Sequence, residues 1–225
     1  MQGEFPKADA VDQQGYVPLL LETDLHEGVD GGFGSGKRLG IDPAGEGDDE
    51  TVWVVRDHFK AKIVAREKIS TSKTIAQKTL TIMQEYGVQD YDVTVDNFGE
   101  GANVAKELAL AGKNVHGVNV GDGAEDDERY LNMRAESFWR IREWLKTGGT
   151  LVPDDGWDEL LAIRYRAELN GKLRIMSKSD MRKLGVKSPN NADALSLTFI
   201  RRESDVQQYS NPYIAANSTA FQLSD

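Results

Sequence analysis

Arg38-Leu39-Gly40-Ile41-Asp42 carries an apolar alternation that ends on a carboxylate. Leu39 and Ile41 fall on one face of an extended chain, which marks the run as a strand. The pattern returns in Tyr91-Asp92-Val93-Thr94-Val95-Asp96, again with an acid at the end. A third lone acid, Asp193, lies within Ser188-Pro189-Asn190-Asn191-Ala192-Asp193-Ala194-Leu195-Ser196-Leu197. An ionised carboxylate in a low-dielectric setting is costly unless positive charge neutralises it. Three such acids suggest divalent metal binding and, with it, phosphoryl-transfer chemistry.

Outward from these runs, residues 51–57 and 60–70 read as two further strands joined tightly around Asp57-His58-Phe59. Residues 72–86 read as a helix stopped by Gly87, and residues 101–111 as another stopped by Gly112. Residues 92–96 and 114–120 fit strands, and residues 129–146 and 154–166 fit helices. Residues 167–175 resemble a hairpin turning at Asn170-Gly171. The last helix takes Ser188 as N-cap and Pro189 as its first residue. The first three strands are close enough for an antiparallel meander, and the fourth can return parallel to the first. The expected fold class is therefore α/β, a mixed sheet flanked by helices.

Asp42 and Asp96 end their strands on the same side, the edge where open α/β sheets place ligand sites. If Asp193 closes over that edge, the three form an all-oxygen set suited to Mg2+ or Mn2+. A pair of ions about 3.5–4 Å apart activates water and stabilises the leaving oxygen of a phosphodiester. Each acid also has a plainer reading: Asp42 as a turn cap, Asp96 as an acceptor of backbone bonds, Asp193 as a satisfied helix acid.

The net charge of −10 is unevenly spread. Residues 1–128 hold 12 basic and 25 acidic side chains, whereas residues 129–202 hold 15 basic and 9 acidic, so a polyanion suits the second half. Lys172, Arg174, Lys178, Arg182, Lys183 and Lys187 flank the approach to Asp193 and are candidate phosphate contacts. For Arg134, Arg140, Arg142 and Lys146, phosphate contact and an ordinary solvated face are both open. Trp139, Trp144 and Trp157 read as core. His26, His58 and His116 have no spacing that suits a metal or a catalytic pair. No apolar run approaches 18 residues, no signal peptide is expected, and the absence of cysteine excludes disulfides and thiolate sites.

Residues 1–37 read as a linker or extension, with a short apolar island at residues 17–21 and a glycine-rich stretch beyond it. Gly31 to Lys37 satisfies G-x-x-x-x-G-K, but Arg38 stands where a phosphate-binding loop needs Ser or Thr, and a strand follows instead of a helix. Residues 38–202 form the expected folded domain, and residues 203–225 a polar, disordered tail. Residues 121–128, acidic and glycine-rich, are expected to be a mobile loop.

These segments resemble the C-terminal nuclease domain of tailed-bacteriophage terminase large subunits. The likeness rests on Gly40-Ile41-Asp42-Pro43-Ala44-Gly45-Glu46-Gly47-Asp48-Asp49-Glu50-Thr51, on Val95-Asp96-Asn97-Phe98-Gly99-Glu100-Gly101, on Asn132-Met133-Arg134-Ala135-Glu136-Ser137-Phe138-Trp139, and on the run from Ser188 to Leu195. Gly3-Glu4-Phe5-Pro6 is similar to the chain leaving that family's ATPase domain. The resemblance implies an RNase H-like (retroviral integrase-like) fold and a two-metal endonuclease that cuts concatemeric viral DNA, with Asp42, Asp96 and Asp193 as ligands. Asp48 reads equally as a contact through water or as a solvated turn acid. Asn190 reads as an orienting group for water or phosphate, or as a simple first-turn polar residue. The implied partners are double-stranded viral DNA, the terminase small subunit and the portal protein, with no membrane. The implied setting is the host cytoplasm, at the prohead portal. A junction resolvase or transposase-like nuclease of the same fold, and a non-catalytic module binding portal or small subunit, are the alternatives.

Overall fold

The computed structural model describes residues 11–45, 49–68 and 71–200. Its centre is a six-stranded mixed sheet. The strands are β2 (Arg38–Asp42), β3 (Thr51–Arg56), β4 (Lys60–Glu67), β5 (Val93–Asp96), β6 (His116–Val118) and β7 (Thr150–Leu151), in the order β6-β5-β2-β3-β4-β7. The meander β2-β3-β4 is antiparallel, and β5 returns parallel to β2, as the sequence suggests. Edge strands β6 and β7 pair in parallel with β5 and β4.

Alternation along β3 explains the layers. Trp53 and Val55 face one core with Leu39, Ile41, Ile75, Val104 and Leu108, while Val52 and Val54 face a second core with Phe138, Ile141, Leu160 and Leu195. Helices α1 (Ser72–Tyr86) and α2 (Glu100–Leu110) cover the first face; α3 (Met133–Lys146) and α5 (Asn190–Leu197) cover the second. Helix α1 starts on Thr71, whose hydroxyl accepts from the Thr74 N–H, and stops at Gly87 in the left-handed conformation, φ 62°. Buried Trp53 donates its indole N–H to Thr79 Oγ1 of α1 at 2.9 Å, which satisfies a donor that burial would otherwise orphan.

Gly40 sets how closely α5 approaches the sheet. A Cβ there would lie 2.0 Å from the Ala194 carbonyl oxygen, so any side chain would push α5 off β2. A smaller antiparallel sheet, β1 (Val17–Pro18), β8 (Arg164–Ala167) and β9 (Leu173–Ile175), packs beside the second core in the order β1-β8-β9.

The N-terminal reading needs correction. Part of residues 11–37, expected as a linker, joins the core: Tyr16, Val17, Leu19 and Leu20 are buried, and β1 pairs with β8. The apolar island is a piece of core. The glycine-rich stretch beyond it is tied down too. Gly34 N–H donates to Asp57 Oδ2 at 2.7 Å, Lys60 Nζ donates to Gly31 O, and Lys37 Nζ donates to Tyr86 O. Residues 1–10 and 201–225, and with them the expected C-terminal tail, lie outside the described residues.

Three other boundaries moved. Helix α3 begins at Met133, capped by Asn132, because residues 129–131 bridge to β9 instead. Residues 155–162 form a 3-10 helix capped by Asp154, and the chain then enters β8. Buried Trp157, Leu160 and Ile163 recur every third residue, the period of that tighter helix. Pro189 precedes α5 at its cap position, and Ser188 caps nothing there. The loop of residues 121–128 is held: Glu125 N–H donates to Glu136 Oε2, and Arg140 pairs with both Glu125 and Glu136.

Candidate metal centre

Parallel register brings the first two acids together. Leu39 lies opposite Val93 and Ile41 opposite Val95, so the next residues of the two strands, Asp42 and Asp96, come to the same sheet edge. Asp193 reaches that edge from α5, which Gly40 allows to seat directly on β2. Asp42 and Asp193 are buried at 6% exposure each, and Asp96 is half-buried.

Their electrostatics record the crowding. Burial above all, opposed by the pull of Lys178 and helped by the neighbouring Asp193 and Asp96 carboxylates, pushes Asp42 up to about 7. Burial also raises Asp96, although its Oδ1 accepts the Phe98 N–H at 3.2 Å. Asp193 moves the other way: burial would raise it, but Arg134 and Lys178 outweigh that and hold it below the ordinary carboxylate range.

Two cations supply that balance. The Lys178 ammonium, on the first residue of α4 (Lys178–Lys183), lies 2.9 Å from Asp193 Oδ2 and 3.6 Å from Asp42 Oδ2. Burial opposes its charge, yet the two aspartates win and raise Lys178. Arg134 donates to Asp193 Oδ1 at 3.0 Å and to the Met176 carbonyl at 2.9 Å, its guanidinium over the Phe138 ring.

The donor set fits a hard divalent cation: oxygens only, mutually repelling, with Asp193 Oδ2 buried and facing the Lys178 ammonium at 2.9 Å. Among the described residues, no three carboxylate, imidazole or thiolate side chains are gathered into a ligand group. Asp42 and Asp96 share the sheet edge and Lys178 bridges Asp42 to Asp193, so the three acids stand near one another without forming such a group.

A cleft of about 860 Å3 opens at Asp42, its wall mixed in charge: Lys178, Arg182 and Lys187 of the predicted basic group stand there with Asp49, Glu50, Asp155, Asp158 and Glu159. Lys172, Arg174 and Lys183 do not line it; Arg174 pairs with Glu168, and Lys183 with Asp180. Arg66 and Lys68, at the end of β4, line the cleft and were missed in the sequence. Asn190 lines it as well, whereas Asp48 lies outside the described residues. Arg134 was read only as one of several helix cations. Its signal was its position on the stripe Arg134, Phe138, Ile141, Leu145, otherwise apolar and all buried.

The fold and its acidic sheet edge define an RNase H-like α/β domain. Solved structures of phage terminase nuclease domains share this architecture. The nuclease domain of the large terminase subunit gp2 of bacterial virus Sf6 matches with a TM-score of 0.61 at 19% identity, over 76% of this chain and 90% of that one. A mutant of that domain with manganese and β-thujaplicinol matches at 0.62 and 19%, over 74% and 88%. The large terminase nuclease of thermophilic phage G20c with bound magnesium matches at 0.53 and 19%, over 78% and 90%. No protein-family model matches the chain, and no curated protein does. Among the described residues, no helix is long and apolar enough to cross a membrane.

Proposed function

We propose that the chain is the nuclease part of a viral genome-packaging terminase, a divalent-metal-dependent endonuclease that hydrolyses the phosphodiester backbone of duplex DNA. The observation that carries this reading is the meeting of Asp42, Asp96 and Asp193 at one sheet edge beside a cleft with Lys178, Arg182 and Lys187 on its wall. Asp42, Asp96 and Asp193 would hold Mg2+ or Mn2+, as a pair of ions. When bound, such ions supply a water activated at neutral pH and charge for the leaving oxygen.

The chain's own residues do the rest. Lys178 neutralises Asp42 and Asp193 and must withdraw its ammonium for both carboxylates to serve a divalent ion. Arg134 keeps Asp193 ionised and aimed. The cleft cations grip phosphates without reading bases, which suits sequence-tolerant cutting. Grip through few cations in an acidic chain implies modest affinity and a salt dependence whose slope scales with the few phosphates neutralised. The structures solved with manganese and with magnesium support the choice of ion. In the assembled motor the partners would be the small subunit and the portal, at the prohead in the host cytoplasm. The segment before the domain would lead from a translocating ATPase.

Nicking of supercoiled plasmid tests the reading. Mn2+ or Mg2+ should support it, a chelator should stop it, and Asp96→Ala should abolish it with the far-UV spectrum unchanged. Metal-independent DNA binding without nicking would instead favour a docking module, and strong preference for four-way junctions a resolvase.

A further inference from the structure

Helix α5 carries Asp193, yet it has little means of holding itself. It spans eight residues, and those from Asn191 to Leu197 are all buried. Pro189 at its cap position provides no side-chain acceptor. Helices this short are marginal on their own, and their first N–H groups need partners.

Those partners come from another segment. Glu159, in the 3-10 helix of residues 155–162, accepts the Asn191 backbone N–H at 2.7 Å and the Ala192 N–H at 3.2 Å on Oε2. Its Oε1 accepts the Asn191 side-chain amide at 2.6 Å. The opposite end is held by guanidinium groups. Arg56 donates to Thr198 O at 2.8 Å, Arg140 to Phe199 O at 3.0 Å and Arg38 to Ile200 O at 3.4 Å. A carboxylate at the N-terminus and cations at the C-terminus both oppose the helix dipole, so charge and hydrogen bonding fix the same placement.

From this geometry we propose that Glu159 is a positioning residue for Asp193. It captures the two residues immediately before Asp193 and thereby sets where that carboxylate stands relative to Asp42. The proposal rests on the nuclease reading and adds a residue to it that neither motif nor charge pattern marks. Glu159 also lines the cleft, but its hydrogen bonds go to the backbone and side chain at the start of α5.

The test uses E159D and E159Q in the full chain. E159D keeps the charge but withdraws the carboxylate by one methylene. E159Q removes the charge but keeps an oxygen for the two backbone N–H groups. Its amide then faces the Asn191 Nδ2 donor, so the Asn191 side-chain amide must turn over to present Oδ1, a buried atom that has no hydrogen-bond partner. Mn2+ binding is measured by calorimetry, and protection of the Asn191 and Ala192 amides by hydrogen exchange. Loss of an orienting partner of a metal ligand typically costs about 10–100-fold in affinity. E159D should weaken Mn2+ binding by about 10-fold and expose both amides, and E159Q should restore most of each. Thr79→Val, which removes the Trp53 bond on the far face of the sheet, should lower the melting temperature and leave Mn2+ affinity unchanged. Wild-type Mn2+ affinity in E159D, or a loss in Thr79→Val equal to that in E159D, overturns the positioning role alone. A wild-type chain that neither binds Mn2+ nor nicks plasmid overturns the nuclease reading itself.

Discussion

Lys178 and Asp193 meet at 2.9 Å, ammonium to Oδ2, at the mouth of the cleft, and the same ammonium reaches Asp42 at 3.6 Å. A monovalent side chain thus occupies the ground between two carboxylates that a divalent ion would need. Lys178→Ala should therefore have opposite effects with and without metal. Without metal, three acids lose a neutralising charge, at a cost of about 1–3 kcal/mol in stability. With Mn2+, the competitor is gone and the binding midpoint should fall to lower concentration. Melting curves recorded across a Mn2+ series would show the variant below wild type at zero metal and a larger upward shift at saturation. A shift no larger than that of wild type would refute the competition.

Arg134 answers to a different rule because its pair with Asp193 is buried on both sides, with side chains 11% and 9% exposed. Removing one partner of such a pair strands the other charge, which typically costs about 3–5 kcal/mol. Arg134→Ala should show this loss in urea denaturation. Arg134→Lys should recover little of it. A lysine ammonium cannot serve Asp193 and the Met176 carbonyl with the fixed fork that Arg134 uses, nor lie flat over Phe138. Full recovery by lysine would mean that charge alone matters there.

The sheet was legible because its signals are local. Leu39 and Ile41 alternate, Val93 and Val95 alternate, and acids sit where those runs stop, so strand order and the meeting of Asp42 with Asp96 follow from chain order and parallel return. Lys178 was legible only as a candidate phosphate contact, not as the partner of two carboxylates, and the roles of Arg134 and Glu159 were illegible, because each acts across a tertiary contact 15 or more positions from its partner. Charge patterning marks such residues as surface until the fold shows what they face. The 3-10 helix reads as a longer helix in the sequence because Trp157, Leu160 and Leu161 fit a 3.6-residue period. Residues 17–21 were misread because glycines followed them, although composition says nothing about which core an apolar island joins.

That misreading has a direct consequence for truncation. Deleting everything before Arg38 would remove Tyr16, Val17, Leu19 and Leu20 from the core and leave β8 an open edge. Burial of each such side chain is worth about 1.5–3 kcal/mol, so the four together rival the whole stability of a typical domain, about 5–15 kcal/mol. The truncated chain should bind a hydrophobic dye and lack a cooperative melting transition, whereas a linker could be cut with no effect on either measurement.

Asp57 provides the acid-sensitive joint of the same wrap. It is buried at the β3–β4 turn; its Oδ1 accepts the Phe59 and Lys60 N–H groups, each at 2.8 Å, and its Oδ2 accepts that of Gly34. Burial alone would raise this carboxyl, but the N–H groups of Gly34, Lys60 and Phe59 outweigh burial and lower it. A carboxyl depressed in the folded state binds fewer protons there than in the unfolded chain. Its stabilising contribution is therefore present above the unfolded value of about 4 and is lost as pH falls through the lower folded one. Asp57→Asn should cost stability at neutral pH, because an amide offers one acceptor oxygen for three donors. The gap between wild type and variant should narrow as pH drops below about 4, since protonation disables the wild-type group in the same way. Urea midpoints for both proteins between neutral and strongly acidic pH would reveal this convergence, and parallel curves across that range would show that Asp57 holds the turn without its charge.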